Sequence, residues 1–177
     1  MSDATQVAQV RFTFDGRELT ALPGETIWQA ARRAGTTIPH LCTRGAPDYR
    51  PGGNCRACMV EIDGERNLAP SCSRQVSAGM GVRSDTSERA LNSRRLVIEL
   101  LLAEQPARAL AHDRNASFWH WAEQLGLQGS RFPRRASRVS PPPADRSHPA
   151  MTVQLDACIH CRSEERRVGK ECRSRWS

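Results

Sequence analysis

Four of the seven cysteines in this 177-residue chain stand close enough together in sequence to serve one metal centre. Twelve residues separate Cys42 from Cys55, two separate Cys55 from Cys58, and thirteen separate Cys58 from Cys72. Four thiolates in so short a span, with one Cys-x-x-Cys pair among them, can surround a soft metal centre. An iron–sulfur cluster carries negative charge in a poorly solvated pocket, so its sulfurs need hydrogen-bond donors. A loop with little side-chain bulk can turn backbone N–H groups inward to supply them. Gly52-Gly53-Asn54, directly before Cys55, allows that close approach, and glycine tolerates the positive φ it often requires. The expected occupant is one [2Fe-2S] cluster held by Cys42, Cys55, Cys58 and Cys72.

The same residue types could build a structural four-cysteine zinc site, although such sites usually show two Cys-x-x-Cys pairs and this constellation has one. Such a zinc-stabilised module would serve interaction rather than redox chemistry. Four buried thiols without metal are a third reading. His40, two residues before Cys42, is expected to hydrogen-bond near the loop rather than to ligate, because four cysteines already satisfy a [2Fe-2S] cluster. Arg56 and Arg66 are expected to face solvent or to offset cluster charge, exposure being the rule for arginine.

Elements that could position these cysteines are legible on both sides of the loop. Val10, Phe12 and Phe14 alternate with Arg11 and Thr13, the period of a half-buried strand running from Val7 to Phe14. Asp15-Gly16 signals a hairpin and Arg17 to Leu22 its returning strand. Thr26 offers a helix cap, Ile27, Ala30, Ala31 and Ala34 share one helical face, and Gly35 ends it. Met59 to Ile62, followed by Asp63-Gly64, predicts a second hairpin, and Met80 to Val82 a closing strand. The fold class is α+β: a β-grasp, ferredoxin-like domain over residues 1–85.

A helical extension follows over 86–126. Asp85-Thr86-Ser87-Glu88 has the look of a capping box, Leu91, Ile98 and Leu102 recur at helical spacing beside Val97 and Leu101, and Pro106 stops the helix. Phe118, Trp121 and Leu125 form the packing stripe of a second helix, with Gly126 after it. Residues 127–149, with five arginines and Pro141-Pro142-Pro143, read as an extended linker.

The formal charge of +7 does not mark a nucleic-acid surface. Residues 1–126 carry 15 arginines against 14 acidic residues, and the basic excess lies in the linker and the last sixteen residues rather than on a folded face. No apolar run approaches the roughly 20 residues that span a bilayer, and Met1 to Gln6 lacks a secretory layout. The expected setting is cytoplasmic, where thiols stay reduced and cysteines serve metals before disulfides. No nucleic-acid or membrane partner is expected.

The end of the chain differs from the rest. Its one lysine is Lys170, and residues 162–177 resemble the in-frame translation of a common sequencing adapter. The native sequence is therefore expected to break off at or near Cys161, and Cys172 is not counted as a ligand.

Three segments carry a resemblance: Ile38-Pro39-His40-Leu41-Cys42, Gly53 to Ile62, and Pro70-Ser71-Cys72. They resemble the N-terminal [2Fe-2S] domain shared by the large iron–sulfur subunit of NADH:quinone oxidoreductase, iron hydrogenases and the alpha subunit of NAD-dependent molybdenum formate dehydrogenases. The first two groups typically continue with a His-and-three-Cys [4Fe-4S] motif, whereas this chain has no cysteine between Cys72 and Cys158. Glu104 to Arg108, Phe118 to Ala122 and Ser147 to Cys161 resemble the cytoplasmic formate dehydrogenase alpha subunit. There Cys158 and Cys161 would open a [4Fe-4S] motif within a domain beginning at residue 150 and cut short at 161. The resemblance implies a parent enzyme that oxidises formate to carbon dioxide at a molybdenum (or tungsten) centre held by two pterin guanine dinucleotides. Flavin/NAD-binding and iron–sulfur subunits would be its partners. No catalytic residue of that reaction falls within this chain, which would carry one station of the electron route.

Overall fold

Strand β1 (Val10–Phe14) buries Phe12 and Phe14 and leaves Arg11 and Thr13 in solvent, as the alternation requires. The computed structural model describes residues 9–43, 45, 51–133, 143–147, 149–150, 152–154 and 157–161. The expected strand start at Val7, the core of the Arg/Pro-rich linker and residues 162–177 lie outside them. Strand β2 (Arg17–Ala21) returns antiparallel, with Phe14 opposite Arg17. Asp15 and Gly16 both take positive φ, 47° and 78°, the backbone of a turn whose twist matches the strands.

Helix α1 (Ile27–Arg33) starts where the sequence placed it. The Thr26 hydroxyl accepts from the Gln29 N–H, and the Gln29 side-chain oxygen accepts from the Thr26 N–H at 2.9 Å, closing a capping box. Strands β3 (Met59–Ile62), β4 (Ala69–Pro70) and β5 (Gly81–Arg83) complete a five-stranded sheet in the order β2-β1-β5-β3-β4. The β1–β5 pairing is parallel and the others are antiparallel. This is the α+β, ferredoxin-like architecture expected.

Helix α2 (Glu88–Glu104) packs on β3, and helix α3 (Ser117–Gln124) packs on α2. Two expectations about α2 need correction. Its cap is Ser87, whose hydroxyl accepts from the Ala90 N–H at 3.1 Å; the third helical residue is Ala90, so no reciprocal box forms. Its buried stripe is Ala90, Arg94, Ile98 and Leu101, while Leu91 and Leu102 are only half-buried. The stripe can include an arginine because Arg94, 0% exposed, has acceptors for its guanidinium. It donates to the Ser84 carbonyl and, at 3.2 Å, to the Asp85 carboxylate. Apolar periodicity cannot register such a residue.

The 84–86 loop is clasped from its other side by Asp15. That carboxylate accepts from the backbone N–H groups of Ser84 (2.7 Å), Asp85 (3.2 Å) and Thr86 (3.2 Å), and from the Thr86 hydroxyl (2.6 Å). Burial pushes the Asp15 pKa up, but these four donors outweigh it and hold the group below the ordinary aspartate value. The core is continuous from Phe12, Phe14, Val60 and Val82 of the sheet to Ile98, Leu101, Phe118 and Leu125 of the helices. The first residues after α3 are also tied down. Arg131 holds Glu99 through its backbone N–H (3.0 Å) and its guanidinium (3.2 Å).

Candidate iron–sulfur centre

The strand pairing that builds the sheet also assembles the thiols. Cys58 immediately precedes β3, and Cys72 lies two residues beyond β4. The register Met59 opposite Pro70, with the Ser71 N–H donating to the Cys58 carbonyl at 3.1 Å, brings the two cysteines side by side. The N-terminus of α1 secures the same turn, since the Ile27 and Trp28 N–H groups donate to the carbonyls of Arg74 (2.9 Å) and Ser71 (3.0 Å). Cys42 arrives on the extended segment after α1, and Cys55 on the glycine-bearing loop.

All four predicted ligands are buried, between 1% and 6% exposed, and share the core. Their sulfurs interact directly: Cys42 with Cys55 and Cys72, and Cys58 with Cys72. Hydrogen bonds from Cys55 and Cys72 hold the Cys42 thiol far below its ordinary value, aided by the backbone N–H groups of Cys55 and Asn54. A hydrogen bond from Cys72 likewise lowers Cys58. The donors, Cys55 and Cys72, are pushed up by those same contacts, with burial adding to the effect. Backbone N–H groups of Ala57 and Cys42 face the Cys55 sulfur, and that of Cys72 faces the Cys58 sulfur. The loop thus presents its amides to sulfur, as its composition suggested.

This donor set fits a two-iron cluster. Its ligands must be thiolates when metal binds, and backbone N–H groups already face the sulfurs of Cys42, Cys55 and Cys58. Among the described residues no three His, Cys, Asp or Glu side chains converge as the shell of a single ion. The sulfurs instead form one continuous run, Cys55–Cys42–Cys72–Cys58, which supplies the four thiolates that a two-iron cluster takes.

Gly53 is required by the loop on two counts. Its φ is 65°, and an added Cβ would lie 3.0 Å from the Ser73 hydroxyl and 3.2 Å from Pro70 Cγ. The close approach is to the β4 turn; Gly52 beside it is exposed. His40 is half-buried between Trp28 and Trp121, at ring-centroid distances of 4.9 Å and 5.6 Å, with Nδ1 2.9 Å from the Ile38 carbonyl. It acts there as a packing neighbour. Arg56 and Arg66 are exposed.

Residues that sequence reasoning passed over also shape the centre. Ser71 is 0% exposed, and its hydroxyl has no hydrogen-bond partner in the protein; the β3–β4 pairing sets it opposite Cys58. Leaving a buried hydroxyl unpaired costs about 1–3 kcal/mol. A serine beside a cysteine carries no sequence signal of this kind. The indole N–H of Trp121 is likewise buried without a partner.

The second cysteine pair sits differently. Cys158 is exposed and Cys161 half-buried. The Gln105 side chain donates to the Cys158 carbonyl at 2.8 Å, and the Asn54 side chain to the Cys161 carbonyl at 3.1 Å. His160 Nε2 lies 2.5 Å from Glu104. Ile159 and His160 line a small cavity of about 200 Å³ with Cys55 and Leu101. The segment that opens the second motif is therefore seated beside the loop of the first. Among the described residues no helix is long and apolar enough to cross a membrane.

Comparison with known proteins agrees with this geometry. Residues 7–87 match the family described as 2Fe-2S iron-sulfur cluster binding domain. The chain is 34% identical over 161 residues to the NADP-reducing hydrogenase subunit HndD of Solidesulfovibrio fructosivorans, covering 88% of this chain and 27% of that protein. It is 32% identical over 162 residues to the mitochondrial NADH-ubiquinone oxidoreductase 78 kDa subunit of Candida albicans, covering 90% and 22%. This chain therefore spans about a quarter of the length of these relatives. An NAD+-reducing [NiFe]-hydrogenase, solved in its H2-reduced state, superposes with a TM-score of 0.75 at 30% identity, covering 93% of this chain and 68% of that one. Residues 7–87 therefore carry a 2Fe-2S iron-sulfur cluster binding domain, which this chain shares with subunits of NADH–quinone oxidoreductases and of hydrogenases that reduce NAD or NADP.

Proposed function

We propose that this chain is an electron-transfer station in which Cys42, Cys55, Cys58 and Cys72 hold one [2Fe-2S] cluster within an NAD-linked oxidoreductase. The observation that carries the reading is the burial of four thiols in one continuous run of contacts, with backbone N–H groups aimed at their sulfurs. When bound, such a cluster supplies a one-electron carrier whose potential depends on charge, sulfur hydrogen bonds and exposure. The protein's part is to hold the thiolates, to donate amides from residues 54–57, and to exclude water with the core beneath them.

The finer reading is the alpha subunit of a cytoplasmic formate dehydrogenase. It rests on three sequence features: the segments 104–108, 118–122 and 147–161, the lack of cysteine between Cys72 and Cys158, and the Cys158-x-x-Cys161 motif. The parent would bear [4Fe-4S] clusters and a molybdenum bis-pterin guanine dinucleotide, with flavin/NAD-binding and iron–sulfur subunits as partners. Under this reading Cys158 and Cys161 begin a second cluster site. Residues 1–85, 86–126, 127–149 and 150–161 then form the cluster domain, helical extension, linker and truncated second domain, and 162–177 is foreign to the parent. A hydrogenase or quinone-reductase parent is the alternative, and the gene sequence beyond residue 161 decides between them.

The test of the cluster is anaerobic reconstitution of the chain with iron and sulfide. About two irons and two labile sulfides per chain, with an S = 1/2 EPR signal only after reduction, are expected for one cluster of this type. A colourless chain with one zinc would overturn the proposal.

A further inference from the structure

Among the buried polar groups around the thiols, Ser71 stands apart. Its backbone is pinned on both sides: its N–H donates to the Cys58 carbonyl at 3.1 Å, and its carbonyl accepts from the Trp28 N–H at 3.0 Å. Pro70 before it and Cys72 after it leave the segment little freedom. The side chain is completely enclosed, yet its hydroxyl finds no well-aligned acceptor in the protein. Buried hydroxyls are almost always paired, and a fixed exception asks for a partner. The β3–β4 register, extended by one pair past Met59 and Pro70, sets Ser71 opposite Cys58, so the two side chains share a face beside Cys72.

We infer that Ser71 is a positioning residue for the redox step, its hydroxyl donating a hydrogen bond to the sulfur of Cys58 and so raising the reduction potential. The inference rests on the [2Fe-2S] reading above. Adding an electron makes the centre more negative, so a fixed O–H donor stabilises the reduced state more than the oxidised one. The hydroxyl does so without exchanging a proton and without ligating iron. The electron arrives from a neighbouring carrier of the complex and leaves to the next, so nothing beyond a one-electron donor and acceptor is needed. The backbone amides at residues 54–57 act in the same sense, but they belong to the loop and every residue type supplies them. Ser71 is the side-chain contribution, and therefore the one a single substitution can remove.

The test uses the full chain, reconstituted with iron and sulfide, and compares it with Ser71→Ala and Ser71→Thr. Iron content, labile sulfide and the reduced-state EPR signal report loading, and redox titration reports the midpoint. Ser71→Ala should load like the parent and be about tenfold harder to reduce, which for one electron is about 59 mV more negative. Ser71→Thr, which keeps the donor, should stay near the parent potential. An Ala variant that loads with an unchanged potential overturns the inference. So does a Thr variant that shifts as far as Ala, or an Ala variant that cannot load while Thr can, because the hydroxyl would then be a requirement of assembly. If the parent chain itself takes up no two-iron cluster, the cluster reading fails, an outcome distinct from these.

Discussion

The two cysteine-bearing regions of this chain are held in opposite ways. Cys42, Cys55, Cys58 and Cys72 are fixed by the fold itself, through the β3–β4 register, the N-terminus of α1 and a loop that needs a glycine at position 53. Cys158 and Cys161 lie on a segment attached from outside by the side chains of Gln105, Asn54 and Glu104. In the first region the backbone does the positioning, and losing any one side chain leaves the frame intact. In the second, a few polar contacts carry it, two of them exposed and the Gln105 bond part-buried, each contributing about 1 kcal/mol net. A site assembled by strand pairing can exist before its metal arrives, whereas a latched segment depends on what lies beyond it.

The sharpest way to break this comparison is to remove a sulfur from each region. Cys58→Ser should abolish the reducible two-iron signal on reconstitution, while Cys158→Ser should leave iron, sulfide and EPR intensity at the parent level. Equal losses in both would mean that the two regions form one site.

A smaller effect is expected at the clasp between the first hairpin and the 84–86 loop. Asp15→Asn keeps the shape but weakens four hydrogen bonds, two of them 2.7 Å or shorter. It should lower unfolding stability at neutral pH by about 1–2 kcal/mol, discounted for partial exposure. The pH dependence has a definite sign. The folded-state pKa of Asp15 is lowered, so its contribution is complete above the unfolded value of about 3.9 and fades as pH falls toward the folded value. Denaturant midpoints of parent and variant should accordingly differ at about pH 6 and converge below about pH 4. A gap that is flat with pH would remove the carboxylate from the explanation.

The smallest effect belongs to the latch. Gln105→Ala deletes the donor to the Cys158 carbonyl, so hydrogen exchange should quicken at residues 157–161 and stay unchanged in the sheet. Exchange that also quickens in β3 and β5 would show that the segment supports the cluster domain instead of resting on it.

How much of this could be read beforehand divides along physical lines. Local signals were reliable: the Asp15-Gly16 turn, the Thr26 cap, the Gly35 stop and Pro106 each act within a few residues, and each marks the boundary it suggested. The cysteine spacing pointed to four residues that the fold does bring together. What stayed hidden needs contact across long stretches of chain. Arg94 reads as a polar break in an apolar stripe until Ser84 and Asp85 are placed beside it. Asp15 reads only as a turn former until the 84–86 loop folds over it, and Ser71 as an ordinary polar neighbour until the thiols close around it. The Asp85-to-Glu88 motif misled because its residue types suit a reciprocal cap, while the helix takes Ser87 as its cap and so begins too late to use Glu88 as the partner.

The parallel seam between β1 and β5 has a bearing on how the protein comes into being. Phe14 and Val82 are register partners, and all four cluster cysteines lie in the stretch of chain between them. Closing that seam draws one long loop shut, a step whose entropic cost grows only slowly with loop length but which must be met before the distant contacts repay it. During synthesis all four thiols therefore emerge from the ribosome before the central strand of the sheet. For that interval the sheet that carries them is incomplete, and the thiols are open to oxidation or to stray metals. Delivery of iron and sulfide after β5 has joined β1 would meet an assembled set of ligands. Delivery before it would meet two halves of a sheet, β1–β2 and β3–β4, still lacking the strand Gly81–Arg83 that joins them.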